Sequence, residues 1–202
     1  MKLFLASGNV HKVQELQALA DASGLPITIQ SARQVGGMPP VVEDTGTFVG
    51  NARKKALALK GLLPADGWAL ADDSGICVDA LEGGPGVESA YFAGPAGDDA
   101  ANLRKLVEVM RAVPKPKRGA HYVCVLLLIS PTNEEHIFEG RCHGVLLDEP
   151  MGAGGFGYDP LFVPRGFDCT YGQLSELTKQ ASSHRANAWH QLADWVRQSK
   201  LE

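Results

Sequence analysis

Short apolar runs alternate along this chain with stretches whose apolar residues recur at helical spacing, and that alternation narrows the possible folds more than any other feature. KLFLA (2–6) reads as a short buried strand. The SGNVHKVQELQALADASG that follows reads as a helix, with Val13, Leu16, Leu19 and Ala20 on one stripe. PITIQ (26–30) predicts a second strand, and TFVGNARKKALALKGL (47–62) a second helix facing inward through Phe48, Ala52, Ala56 and Leu59. WALA and ICVDAL predict strands on either side of residues 72–75. DDAANLRKLVEVMRAV (98–113) is an amphipathic helix that stops before the basic, proline-rich PKPKRG. AHYVCVLLLIS and EHIFEGRCHGVLL form a long hairpin turning at Pro131, Thr132 and Asn133. A last helix, 181–199, buries Trp189, Leu192, Ala193 and Val196. Crossover helices together with a hairpin predict an α/β domain with a mixed sheet. No repeat, low-complexity tract or long linker divides the chain, so residues 1–202 are expected to form a single domain.

The net charge of −4 and a pI near 5.9 leave no electrostatic footprint for duplex nucleic acid or an anionic membrane. Any cations that hold an anionic substrate must therefore be local. No apolar run approaches the length of a transmembrane helix, and the N-terminal MKLFLASGNVHK turns polar too early for a secretory signal. Cys77, Cys124, Cys142 and Cys169 are scattered with no C-x-x-C spacing, which fits reduced thiols in a cytoplasmic protein.

Within this frame ALADDSGICVD is the anomaly. Asp72 and Asp73 are adjacent between two strand-like runs, and charged residues are rarely fully buried unless paired or bound to a metal. The sequence reads as a strand that breaks at these residues, and a plain Asp-Ser-Gly turn would satisfy that pattern. Four other stretches invite chemistry. SGNVHK joins a strand to a helix start through Ser7-Gly8-Asn9, with Lys12 one turn in. That geometry suits an anion, and equally an ordinary capped helix. GMPPVVEDTGTFVGNARKKA sets Glu43 and Asp44 before a helix that carries Lys54 and Lys55. GAGGFGYDPLF concentrates glycine around Phe156, Tyr158 and Asp159, as if to lay backbone and one ring against a flat ligand. KQASSHRANA places Lys179, His184 and Arg185 near a helix start, where cations oppose the macrodipole.

Taken in order, S-G-N-x-x-K at 7–12, E-D-x-x-T-F at 43–48, A-D-D-S-G at 71–75, G-G-F-G-Y-D-P at 154–160 and S-H-R at 183–185 resemble the inosine/xanthosine triphosphate pyrophosphatases over nearly the whole chain. These are house-cleaning enzymes for aberrant purine nucleotides. The resemblance implies hydrolysis of ITP, dITP and XTP to the monophosphate plus pyrophosphate. It also implies an elongated mixed-sheet α/β domain of two lobes with a central nucleotide cleft, and a homodimer. It assigns the triphosphate to Ser7, Gly8, Asn9, Val10, His11 and Lys12, with Lys55 and Lys179 as further cations. Glu43, Asp73 and the neighbouring Asp72 become the acidic set for Mg²⁺, which Mn²⁺ could replace, and Asp73 becomes the proton acceptor. Ser74 would touch substrate. Phe156, with Gly157 and Tyr158 beside it, would stack on the purine, while Asp159, His184 and Arg185 line its hydrogen-bonding edge. Three positions depart from the family pattern: Gly50 and Gln173 stand where Glu is usual, and Tyr91 where Arg is usual. A related pyrophosphatase of modified pyrimidine nucleotides would lack F-G-Y-D-P and S-H-R, and a mere nucleotide sensor would not need Glu43 and Asp73.

Overall fold

The structure is a computed structural model that describes residues 1–199, so residues 200–202 of the expected domain lie outside the described residues. The buried run at Lys2–Leu5 forms strand β1, which pairs in parallel with β2 (Thr28–Ser31) on one side and β3 (Trp68–Val78) on the other. Helix α1 (Val10–Ala22) connects β1 to β2, and α2 (Phe48–Lys60) lies between β2 and β3. Next in the chain come α3 (Asp99–Met110), β4 (Gly119–Ile129), β5 (Glu135–Leu146) and the short β6 (Phe162–Pro164), followed by α4 (Glu176–Ser182) and α5 (His184–Ser199). The strands follow the order β2-β1-β3-β4-β5-β6 in one six-stranded sheet. Its first pairs are parallel and β5–β6 is antiparallel, so the expected α/β class with a mixed sheet holds.

The chain gathers into two compact units. The first comprises Met1–Asp73, Cys124–Gly140 and the segment from Arg185 onward. Its core joins Leu3 and Leu5 of β1, Leu16 and Leu19 of α1 and Leu126 and Leu128 of β4 to α5. That helix contributes Trp189, Leu192, Ala193 and Val196, as the periodicity predicts. The second unit comprises Ser74–Val123 and Arg141–His184. Its core is more aromatic, with Tyr122, Tyr158, Phe162 and Tyr171 beside Leu106 and Met110 of α3. Buried Arg118 donates to the carbonyls of Met110, Val113 and Leu147, closing the end of α3 in place of water.

Local chemistry sets the element ends. Asn9 caps α1, with its side-chain oxygen accepting from the N–H groups of His11 and Lys12, so the helix starts at Val10 rather than at Ser7. Asp98 does the same for α3. The expected last helix starts at His184 rather than at residue 181, because Ser183 adopts an extended conformation (ψ 160°) that separates it from the short α4.

The expected strand break at residues 72–75 is absent. β3 runs unbroken for 11 residues, with both aspartates in its middle. Cations from other elements satisfy the two carboxylates, so the strand has no need to turn out to solvent. Gly75 is required by space: a Cβ there would overlap the Gly86 carbonyl oxygen and stand 2.5 Å from Ser89 Oγ. Ser89 uses this closeness, accepting from the Ile76 N–H at 2.9 Å and donating to the Gly86 carbonyl at 2.6 Å. Gly75→Ala should therefore cost about 1–3 kcal/mol of stability in chemical denaturation. A change within about 0.5 kcal/mol, ordinary for an exposed site, would contradict this account.

Candidate active site

The first unit holds a buried set of charges contributed by α1, α2, β3 and α5. Alternation along β3 sends the Asp72 and Asp73 side chains to opposite faces of the strand, and the two carboxylates meet different partners. Asp72, 1% exposed, receives Lys12 Nζ at 2.5 Å on Oδ1 and Arg185 Nε at 2.6 Å on Oδ2. Arg185 also pairs with Glu15 through Nη1, and the Cys124 thiol lies 3.5 Å from Asp72 Oδ2. Burial alone would raise the Asp72 carboxyl, but Arg185 and Lys12 outweigh it and hold the group well below the usual carboxylate range. Burial, with the Asp72 charge beside it, pushes the Cys124 thiol up, so it stays neutral.

Asp73 has a different environment. Lys55 Nζ reaches Asp73 Oδ1 at 2.5 Å, Glu43 Oε2 at 3.0 Å and the Asp72 carbonyl at 3.1 Å, and so ties two carboxylates together. Asp73 Oδ2 is buried and has no hydrogen-bond partner. Burial pushes the Asp73 carboxyl up to about 6 against the pull of Lys55 and Lys12, and Glu43 adds to the push. On Lys55 burial acts downward, but Asp73 and Glu43 more than offset it and the ammonium is raised. Two carboxylates around one cation, with a buried oxygen left over, form a site with room for more positive charge. Among the described residues no three His, Cys, Asp or Glu side chains gather into a metal cage. A Glu43–Asp73 pair still fits Mg²⁺, which usually takes one or two carboxylates and completes its shell with water and substrate phosphate.

The second unit holds an aromatic set. Asp159, 3% exposed, accepts on Oδ2 from Lys179 Nζ at 2.8 Å and from the Phe156 N–H at 2.9 Å, and on Oδ1 from the Tyr122 hydroxyl at 3.4 Å. Lys179 Nζ also lies 4.4 Å from the centroid of the Phe156 ring. His184 stacks on Tyr122 with ring centroids 4.7 Å apart and planes 11° from parallel. Gly155 makes the turn before Phe156 possible: its φ is +71°, and a Cβ there would strike Asp159 Oδ2.

The structure thus brings Lys12, Glu43, Lys55, Asp72 and Asp73 together, and separately Phe156, Asp159, Lys179 and His184. Three residues expected at the site have close partners within the protein. Asp72, expected among the metal ligands, has both oxygens committed to Lys12 and Arg185. Arg185, expected at the base edge, is 1% exposed and faces the Asp72 and Glu15 carboxylates. Lys179, expected on phosphate, sits with Asp159 and Phe156. Ser7 Oγ accepts from the Asn9 N–H at 3.1 Å, so the 7–12 segment forms a capped helix start whose exposed edge includes Val10. A Cβ at Gly8 would meet nothing within 4 Å, so packing within the protein does not explain the glycine. Ser74 continues β3, while Gly157 and Tyr158 continue the Phe156 loop, where the Tyr158 hydroxyl donates to the Ser89 carbonyl at 2.7 Å. Asp44 pairs with Lys54 near the surface. Gly50 also has a local reason: Thr45 Oγ1 occupies the space where its Cβ would stand. Tyr91 is exposed, and Gln173 Oε1 accepts from the Thr170 N–H at 3.1 Å.

Glu15, Tyr122 and Cys124 went unrecognised in the sequence. Glu15 lies three residues after Lys12, a spacing that puts the two on neighbouring parts of one helix face, and this signal was available. Tyr122 and Cys124 sit inside an apolar strand run and carry no distinguishing mark.

The chain resembles known proteins over nearly its whole length. The family model described as the Ham1 family matches residues 3–195. A protein of Opitutus terrae named dITP/XTP pyrophosphatase is 60% identical, over 98% of this chain and 100% of its own length. Among solved structures, a HAM1 protein from Coxiella burnetii superposes with a TM-score of 0.86 at 34% identity, covering 98% of this chain and 99% of that one. A Mycobacterium abscessus structure described as a nucleoside-triphosphatase and dITP/XTP pyrophosphatase gives 0.74 at 40% identity, over 95% of this chain and 97% of its own.

The contrast between the two aspartates is measurable. In metal-free protein the Asp73 carboxyl should titrate with a midpoint of about 6 by ¹³C NMR. Lys55→Met should raise that midpoint, because it removes the nearest charge that favours the ionised form. A midpoint of about 4, the ordinary carboxylate value, would refute the environment described.

Proposed function

This chain belongs to the Ham1 family, and we propose that it hydrolyses ITP, dITP and XTP to the monophosphate and pyrophosphate. The observation that carries this reading is the group of half-buried Glu43 with buried Lys55 and Asp73, and its unpartnered Asp73 oxygen. Such an oxygen can accept a proton from water. In the proposed reaction a water oxygen attacks the α-phosphorus, its proton passes to Asp73, and the bond from the α-phosphorus to the bridging oxygen breaks to release pyrophosphate. Lys12 and Lys55 offset the triphosphate charge, and the N–H groups at the start of α1 favour an anion. Gly8 leaves backbone open to a close-lying phosphate. Glu43 and Asp73 would hold Mg²⁺, or Mn²⁺, which would supply charge neutralisation at the phosphates and orientation for in-line attack. Asp72 is left out of that set because Lys12 and Arg185 engage both its oxygens.

The second unit's aromatic set suits a purine. Phe156 offers a ring for stacking, and Lys179, held by Asp159, offers a buried donor beside it. A 6-oxo group accepts from that donor, whereas the 6-amino group of adenine opposes it. One buried donor left unpaired costs about 1–3 kcal/mol, or roughly five- to 150-fold against ATP. Guanine shares the 6-oxo group and must be rejected through its 2-amino group.

We also propose a cytoplasmic enzyme that works on nucleotides without a nucleic-acid or membrane partner. Four free cysteines support a reducing compartment. No described helix is long and apolar enough to cross a membrane. The exposed Tyr91 and the outward Ile137 and Val145 of β5 support a homodimer. Light scattering at micromolar concentration should give twice the chain mass; a monomer mass would refute the dimer.

Pyrophosphate release measured over ITP, dITP, XTP, ATP and GTP tests the activity. Turnover should favour the first three, vanish with EDTA and return with added Mg²⁺. Asp73→Asn should lower kcat by about a hundredfold or more while leaving ITP binding in place. Activity within about threefold of the parent protein would remove Asp73 from the role of base.

A further inference from the structure

We propose that Tyr122 is a positioning residue for base selection, its ring fixing His184 and its hydroxyl fixing the carboxylate that aims Lys179. The inference rests on the purine reading given above. Tyr122 belongs to β4 and is 7% exposed, so its own position is set by the strand and by an edge-on contact with Phe162 at 4.9 Å between centroids. From that fixed place it meets two groups assigned to the base. Its ring lies nearly parallel to the His184 imidazole at 4.7 Å, which restrains rotation of the imidazole about its side chain. Its hydroxyl donates to Asp159 Oδ1 at 3.4 Å.

Asp159 then distributes the constraint. Its Oδ2 accepts from both Lys179 Nζ and the Phe156 N–H, so the carboxylate plane fixes where the ammonium and the Phe156 backbone stand. The donor on Oδ1 keeps that plane from rotating. Burial, reinforced by the Asp159 charge, pushes the Tyr122 phenol well above its ordinary value, so it remains a neutral donor across the working range. The Tyr122 side chain adds no group of its own to the purine. It acts through Asp159 and His184, and so should influence which base is accepted more than how fast the phosphate bond breaks.

Tyr122→Phe keeps the stack and removes only the hydroxyl, so it should fold normally. Its KM for ITP should rise about tenfold with kcat within about twofold of the parent, and ATP should be unaffected, so that the ITP-to-ATP ratio falls about tenfold. Tyr122→Leu, which also loses the stack, should reduce the ratio further. A structural role alone would lower the melting temperature or scale both substrates together. Either result with an unchanged ITP-to-ATP ratio overturns the proposal. A parent protein that shows no preference for ITP over ATP would refute the purine reading instead. The positioning claim then rests on a substrate-free measurement, the ¹⁵Nζ signal of Lys179, which Tyr122→Phe should broaden by faster proton exchange. An unchanged signal overturns it.

Discussion

The buried Asp72 carboxylate, clamped between Arg185 and Lys12, is the interaction on which the first unit depends. A carboxylate at 1% exposure in the middle of a strand is tolerable only when its charge is met at close range. Lys12 and Arg185 bring two positive charges, and Asp72 and Glu15 return two negative ones, so the set is neutral. Such a group contributes little net stability over an apolar core, yet removing one member leaves an uncompensated charge at a cost of about 3–5 kcal/mol. Its value lies in register. It ties α1, β3 and α5 to one another at one point, which sets Lys12 at the start of α1 and Asp73 in the next position of the strand.

Because Asp72 is so held, its neighbour can be different. One step along β3 the side chain turns to the other face, where a single lysine serves two carboxylates rather than two cations serving one. The electrostatic sign reverses accordingly: Asp72 is driven toward ionisation, and Asp73 is pushed toward protonation. Two identical residues, adjacent in sequence, thus acquire opposite electrostatic environments through strand alternation and the elements on either side. The second unit shows the same economy with Asp159, which serves an ammonium, an amide and a phenol at once.

Much of this was legible in the sequence. Periodicity located the helices and the main strands, because amphipathic stripes and apolar runs record burial directly. The glycines around Phe156 and the acid–lysine clusters marked the stretches where the structure gathers charges and rings, because those residue types are poor choices for plain structure. The unbroken β3 was not legible: an Asp-Asp-Ser-Gly string reads as a turn until the cations that neutralise it are known, and Arg185 is 113 positions away. The partners of Arg185 and Lys179 were hidden for the same reason, since a cation near a helix start says nothing about which carboxylate it will find. Tyr122 was hidden by its neighbours, being one apolar-looking residue within a strand of them.

The order in which the polypeptide is made acquires meaning from the first unit's three separate segments. As the chain leaves the ribosome, Asp72 emerges long before Arg185, and β1, α1 and β3 emerge before the Trp189 that completes their core. All residues of the second unit, Ser74–Val123 and Arg141–His184, are present by then. The later stretch of sequence is therefore complete first, and the earlier one waits with a charged strand and an apolar helix face uncovered. Closure of the first unit waits on α5, whose arrival delivers in one step both Trp189 of the core and the guanidinium that makes the buried aspartate tolerable.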